Sequence, residues 1–187
     1  IVGAYAGDAL TSGHSNVAMG YLALTTEDTG RKNVAIGYRA LKDQNHGVDN
    51  FNTVVGYDAG RSISTGVQNT VVGGEALSTN VDGDHNTAIG FEALKSFEAD
   101  ADGHGSNTAV GSGAMRDATS GTNNTSIGKL AMGDGVLIGD ENVAVGSDAM
   151  RNVTSTQYST AVGASAMGVG VTTGDNNVAI GYKAGED

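Results

Sequence analysis

The sequence predicts an all-β chain, a parallel β-solenoid of about eleven coils with 17–21 residues in each. Three observations predict it. A nine-residue unit, NVAIGYRAL at Asn33–Leu41, recurs as NVAMGYLAL, NTVVGYDAG, NTVVGGEAL, NTAIGFEAL, NTAVGSGAM, NTSIGKLAM, NVAVGSDAM, STAVGASAM and NVAIGYKAG. The glycine closing each apolar run returns every 17–21 residues: Gly3, Gly20, Gly37, Gly56, Gly73, Gly90, Gly111, Gly128, Gly146, Gly163 and Gly181. The residues before that glycine are short, β-branched and alternate with the period of two that belongs to strands.

Each element of the unit has a physical reason. The residue before the glycine is large and aliphatic, as in Ile36, Val55 and Val145, and two residues earlier only valine or threonine occurs. The residue between them is small, usually alanine, so both strand faces read as apolar and both are expected to be buried. One face can fill a narrow coil; the other calls for a second surface, most simply a neighbouring chain. The glycine is expected at a corner, with positive φ or no room for a side chain. Alanine follows three residues on in all eleven units, which implies space for a methyl group and no more. Leucine or methionine comes next, and where Gly7 or Gly60 replaces it, Leu10 or Ile63 follows three residues later to fill the core. About 17 residues cannot hold a strand, a helix and two turns, so a helix over FEALKSFEAD is not expected, whereas two short strands and two turns fit. Stacked coils would make a rod on the order of 50 Å long. The absence of proline agrees, because proline cannot donate to a ladder paired on both sides.

Asparagine opens nine of the ten complete units: Asn16, Asn33, Asn52, Asn69, Asn86, Asn107, Asn124, Asn142 and Asn177, with Ser159 the exception. In register these make a structural ladder of side-chain amides.

Composition excludes several function classes. Thirty glycines, no tryptophan and 5% aromatics leave little for a conventional core. A net charge of −11 argues against nucleic acid and anionic membrane surfaces. No apolar run approaches the roughly 20 residues of a membrane span, so no membrane insertion is expected of this segment. Without cysteine there is no disulfide, thiolate zinc site or thiol nucleophile. The chain reads as one repeat array over 1–187 that opens inside a repeat, and therefore as a segment of a longer fibre protein.

The unit N-[TV]-[AVS]-[IVM]-G-x-x-A-[LMG] resembles the head repeats of trimeric autotransporter adhesins of the YadA type. It is also similar to the longer repeats of bacteriophage tail-fibre proteins. The resemblance covers essentially the whole chain. It implies a left-handed β-roll, a homotrimer whose small-residue strand faces pack about the threefold axis, and a role in surface attachment. The coils here are longer than those of adhesin heads, with connections such as Thr65-Gly66 and Asp82-Gly83, which favours the phage-fibre relatives.

Candidate functional residues lie outside the repeat core. Five units place an aromatic after the glycine: Tyr21, Tyr38, Tyr57, Phe91 and Tyr182. Such a stripe can stack on sugar rings or pack along the corner, and packing is the preferred expectation. The longest connections, Leu41–Phe51 and Lys95–Ser106, are the expected receptor-contact loops through Asp49, Phe51, Phe97, Asp100, Asp102 and His104. Asp82, Asp84 and His85 precede Asp102 and His104 by one coil, a set that can hold Ca²⁺ or another divalent ion, although no established calcium pattern occurs and no cofactor is the main expectation. No G-x-S-x-G elbow and no recurrent carboxylate pair supports catalysis. An ice-binding array would need a regular threonine face; here threonine alternates with valine at a position expected to point inward.

The expected function is a non-enzymatic structural and adhesive segment of an extracellular fibre, on a virion or a bacterial surface. Its partners would be two further copies and a cell-surface glycan or protein receptor. The alternatives are a glycan-binding or polysaccharide-degrading tailspike and a metal-binding solenoid.

Overall fold

The structure is a computed structural model that describes residues 1–98, 105–135, 139–168 and 174–186. It is all-β and a solenoid. Ten three-residue strands form one sheet in chain order: β1 (Val17–Met19), β2 (Val34–Ile36), β3 (Thr53–Val55), β4 (Thr70–Val72), β5 (Thr87–Ile89), β6 (Thr108–Val110), β7 (Thr125–Ile127), β8 (Val143–Val145), β9 (Thr160–Val162) and β10 (Val178–Ile180). Every neighbouring pair is parallel, and the middle residues align, Ala18 on Ala35 and Ala35 on Val54, without slippage across the 19- and 21-residue coils. The first copy adds a single bridge, Val2 to Met19, rather than a full strand, so ten strands are formed where eleven coils are expected.

Among the described residues each coil carries one strand, not two. After the corner the chain runs in turns, and the backbone pairs with the next coil through single bonds such as Leu24 N to Ala40 O (3.1 Å) and Leu77 N to Ala93 O (2.9 Å). Among the described residues these turns hold 28 non-glycine residues at positive φ, falling before the asparagine (Lys32), two after the glycine (Arg39) and just after the alanine (Leu41). An isolated left-handed residue costs about 1–2 kcal/mol. The backbone bonds between coils offset that cost, because Arg39 N still reaches Tyr21 O at 2.9 Å and Glu75 N reaches Tyr57 O at 2.8 Å.

The register glycines meet both expected requirements. Gly73 has φ of 143°, and a Cβ on it would lie 2.2 Å from the carbonyl oxygen of Gly90 one coil on. Glycine is thus demanded by the backbone of the next coil as well as by its own.

The interior corrects the expected strand orientation. The small middle residues (Ala18, Ala35, Val54, Val71, Ala88) point into the coil and are buried, while the flanking Thr/Val and Val/Ile positions point out. A coil of about 17 residues is too narrow for two β-branched columns beside the recurrent alanine and leucine. It takes the methyl-sized face instead. Opposite this face lie Ala40-Leu41, Ala76-Leu77, Ala114-Met115 and their equivalents, all buried. A third inward column, three residues after the leucine or methionine position, holds Glu27, Gln44, Ile63, Asn80, Phe97, Ala118 and Val153, each buried. A Cβ on Gly60 would sit 2.9 Å from Ile63 Cδ1, so the absent leucine there is replaced by Ile63 in the same space, as expected. The polar members of this column bond loop backbone. Gly30 N donates to Glu27 Oε1 (2.7 Å), Gly83 N donates to Asn80 Oδ1 (3.1 Å), and Gln44 Nε2 donates to Ser64 O (2.7 Å).

Candidate functional site

The asparagine ladder is structural in geometry. Each Oδ1 accepts the backbone N–H of the next asparagine, as at Asn33 N to Asn16 (2.9 Å), Asn69 N to Asn52 (2.8 Å) and Asn142 N to Asn124 (2.9 Å). The Nδ2 of Asn52, Asn69 and Asn124 donates to the carbonyls of Gly66, Gly83 and Gly139. Ser159 preserves the acceptor, with Asn177 N donating to its Oγ at 3.0 Å. The remaining rungs repeat this: Asn86, Asn107 and Asn177 are bonded through their backbone N–H to the rung before.

What the coil leaves outside is a flat apolar face. Two columns run along the sheet: Val17, Val34, Thr53, Thr70, Thr87, Thr108, Thr125, Val143, Thr160 and Val178 in one, and Met19, Ile36, Val55 and their equivalents in the other. These positions are half-buried or exposed; Val17 and Met19 are each 45% exposed. The threonines therefore face outward, not inward, and the expected packing of small-residue faces between chains is overturned, because those faces fill the coil. The geometric objection to an ice-binding face falls with them. The compositional one stands, since valine interrupts the threonine column at four of ten strands.

The aromatic stripe lies one residue past the corner. Tyr21, Tyr38, Tyr57, Phe91 and Tyr182 are all exposed. Three of them, Tyr21, Tyr38 and Tyr57, pack on one another along the corner. The Tyr21 and Tyr38 rings are 5.5 Å apart at 16°, and those of Tyr38 and Tyr57 are 5.1 Å apart at 7°, with Tyr5 edge-on to Tyr21 at 6.0 Å. Arg39 lies over Tyr38 at 4.9 Å and is held there by Asp58, whose carboxylate accepts from Nε at 2.7 Å. That bond to Asp58 raises the guanidinium further above its ordinary range.

The receptor-loop candidates divide. Phe51 is exposed beneath Lys32 Nζ at 4.6 Å, and Asp49 is half-buried and bonded to the same ammonium at 2.7 Å. Lys32, with Arg31 adding to it, holds the Asp49 carboxyl below its ordinary value of 3.8. Phe97 is corrected: it is fully buried as a member of the third inward column and cannot meet a receptor. Its offset from Leu94 equals that of Ile63 from Gly60, a signal present in the sequence. Asp100, Asp102 and His104 lie outside the described residues.

The proposed metal set is not drawn together among the described residues. Asp82 accepts from the Thr65 hydroxyl and Asp84 Oδ1 from Val67 N (2.7 Å), so both carboxylates turn to the preceding coil. His85 is exposed, and Asp102 and His104 fall outside the described residues. No group of three or more histidine, aspartate or glutamate side chains poised for an ion occurs among the described residues. Among those residues, no helix is long and apolar enough to cross a membrane.

Sequence reasoning expected an apolar face outside the coil but placed the wrong columns on it, and it missed the buried polar cluster at the first long connection. There Asn50 Nδ2 donates to Glu27 Oε2 (3.1 Å) and Asn52 Nδ2 to Gln44 Oε1 (2.8 Å). Comparison with protein-family models, with curated proteins and with solved structures gives no match to this chain.

Proposed function

We propose that this chain is a structural and adhesive segment of an extracellular or virion fibre that works as a homotrimer and carries no enzymatic activity. One observation supports it above the rest. The twenty outward strand positions hold fourteen aliphatic residues, six threonines and no charge, in a chain whose 31 ionisable Lys, Arg, Asp and Glu side chains all lie elsewhere. Depletion of charge from an exposed face is the compositional mark of an interface core. Ten strands at about 4.8 Å make that face roughly 45 Å long, beyond the isolated exposed apolar residues of ordinary monomers. Two or more copies would cover it, and the rod so formed displays its loops at intervals along the outside.

Four of the described carboxylates support the non-enzymatic part. Asp58, Asp84, Asp134 and Asp140 are each occupied by an arginine or a turn N–H. Sedimentation equilibrium on the intact chain tests the assembly: a mass three times 18.7 kDa is expected, and a stable monomer at micromolar concentration overturns it. Incubation with bacterial surface polysaccharide tests the rest, since shortening of the polymer contradicts a non-enzymatic fibre.

A further inference from the structure

Between Tyr21 and Phe91 the aromatic column has one empty rung. Successive coils place Tyr21, Tyr38, Tyr57, Gly74 and Phe91 one residue beyond the corner, so a ring is missing only between Tyr57 and Phe91 in this run. We propose that this rung is a stacking site for one ring of a neutral, equatorially substituted hexopyranose in a surface glycan. The proposal rests on the adhesive part of the fibre function and is independent of its trimer.

The stack itself closes most ring faces to a ligand. Tyr21, Tyr38 and Tyr57 sit 5.5 and 5.1 Å apart, close to the coil repeat, so neither face of Tyr38 is free. Tyr57 differs, because its second face meets a glycine position; it is 54% exposed, and Phe91 on the far side is 55% exposed. Two coil repeats, about 9.6 Å, separate the Tyr57 and Phe91 backbones, and the Phe91 ring leans into that interval, so a sugar ring would stack about 4.8 Å from the free face of Tyr57 with the edge of Phe91 beside it. That is within the range at which ring centroids attract. The floor is the Gly74 backbone, bordered by the edge of Phe91, whose Cδ2 lies 3.4 Å from where a Gly74 Cβ would be. A pyranose with equatorial hydroxyls offers two faces of C–H groups to such rings and its hydroxyls to the sides.

Hydroxyl partners stand beside the rung. Glu75 and Glu92 follow Gly74 and Phe91 directly, and Lys95 Nζ bridges them at 2.7 Å to each. All three side chains remain partly exposed. The two carboxylates accept hydrogen bonds from hydroxyls and the ammonium donates one. The trio sums to one negative charge within a chain of −11, which disfavours uronic, sialic and phosphorylated sugars and leaves neutral ones.

The test uses the intact chain titrated with cellohexaose and with chitohexaose, read by the ring resonances of Tyr57, Phe91 and the remote Tyr182. Saturable shifts at Tyr57 and Phe91 but not Tyr182, at sugar concentrations up to about 10 mM, are expected. Gly74→Tyr fills the rung with the residue found at the equivalent position of four other coils, and Gly74 has no positive φ to forbid it. This variant is expected to keep its melting temperature and lose affinity at least tenfold, and Tyr57→Ala to lose it likewise. No saturable shift with either sugar, or unchanged affinity in Gly74→Tyr, overturns the proposal. So do shifts that follow protein concentration rather than sugar, since they place a second copy in the rung. The sedimentation mass of the same samples separates the two proposals: a trimer that ignores sugar sinks only this one, and a monomer that binds it sinks only the trimer.

Discussion

Replacing Asn69 by alanine removes one rung from the middle of the ladder. Its Oδ1 accepts Asn86 N–H at 2.9 Å and its Nδ2 donates to Gly83 O at 2.9 Å, within a fully buried site. The two losses are unequal. Gly83 O keeps a second donor, Asn80 Nδ2 at 3.1 Å, so that lost bond costs about 1 kcal/mol. Asn86 N–H has no second acceptor in reach and is left buried, at about 1–3 kcal/mol. The sum is about 2–4 kcal/mol, which for a chain of this size lowers the melting temperature by about 5–15 °C. Asn69→Ser should fall between, because Ser159 already shows a serine Oγ accepting the next backbone N–H at 3.0 Å. Thermal unfolding followed by circular dichroism on wild type and both variants decides it. An alanine variant that melts within about 1 °C of wild type, or a serine variant as damaged as the alanine one, would refute the ladder energetics.

Two neighbouring glycines should behave oppositely. Gly73→Ala drives a Cβ to 2.2 Å from Gly90 O at φ of 143° and is expected to lose about 3 kcal/mol or more, whereas Gly74→Ala makes only ordinary contact with Phe91 and is expected to change stability by less than about 0.5 kcal/mol. Leu94→Ala empties a fully buried position beside Phe97 and should cost about 2–5 kcal/mol in denaturant unfolding. Asp49 supplies a pH signature: its folded pKa is depressed by Lys32, so its contribution is present above the unfolded value near 3.8 and is lost as pH falls through the lower folded value. Titration of the Asp49 carboxyl carbon should therefore show a midpoint below 3.8, and Lys32→Met should move it upward.

The fold was legible because the repeat states its own geometry. One glycine and one alanine per unit, at fixed phase, mark a corner and a methyl-sized contact, and the asparagines mark a ladder, and the structure has all three. Strand orientation was not legible, since Val-Ala-Ile reads as apolar on both faces and composition does not say which face a narrow coil can hold. The width of the coil decides, and width depends on how the turns close. Phe97 failed for a related reason: its column also holds Glu27, Gln44 and Asn80, and so varied a set of side chains hides a common inward position. The turns were illegible as well. Leucines and methionines at positive φ, such as Leu24 and Met115, contradict local preference and are held there by bonds from the next coil. The aromatic positions could be read from the sequence, but their mutual stacking could not.

The covered sheet face is the central claim, and a single cysteine reports on it directly because the chain has none of its own. Thr70→Cys puts a thiol in the middle of the outward threonine column, and Ser155→Cys puts one on an exposed turn. Maleimide labelling of the native protein should leave Thr70→Cys protected and Ser155→Cys reactive, with both reactive once unfolded. Equal, rapid labelling of the two native proteins would show the face open to solvent and contradict the trimer.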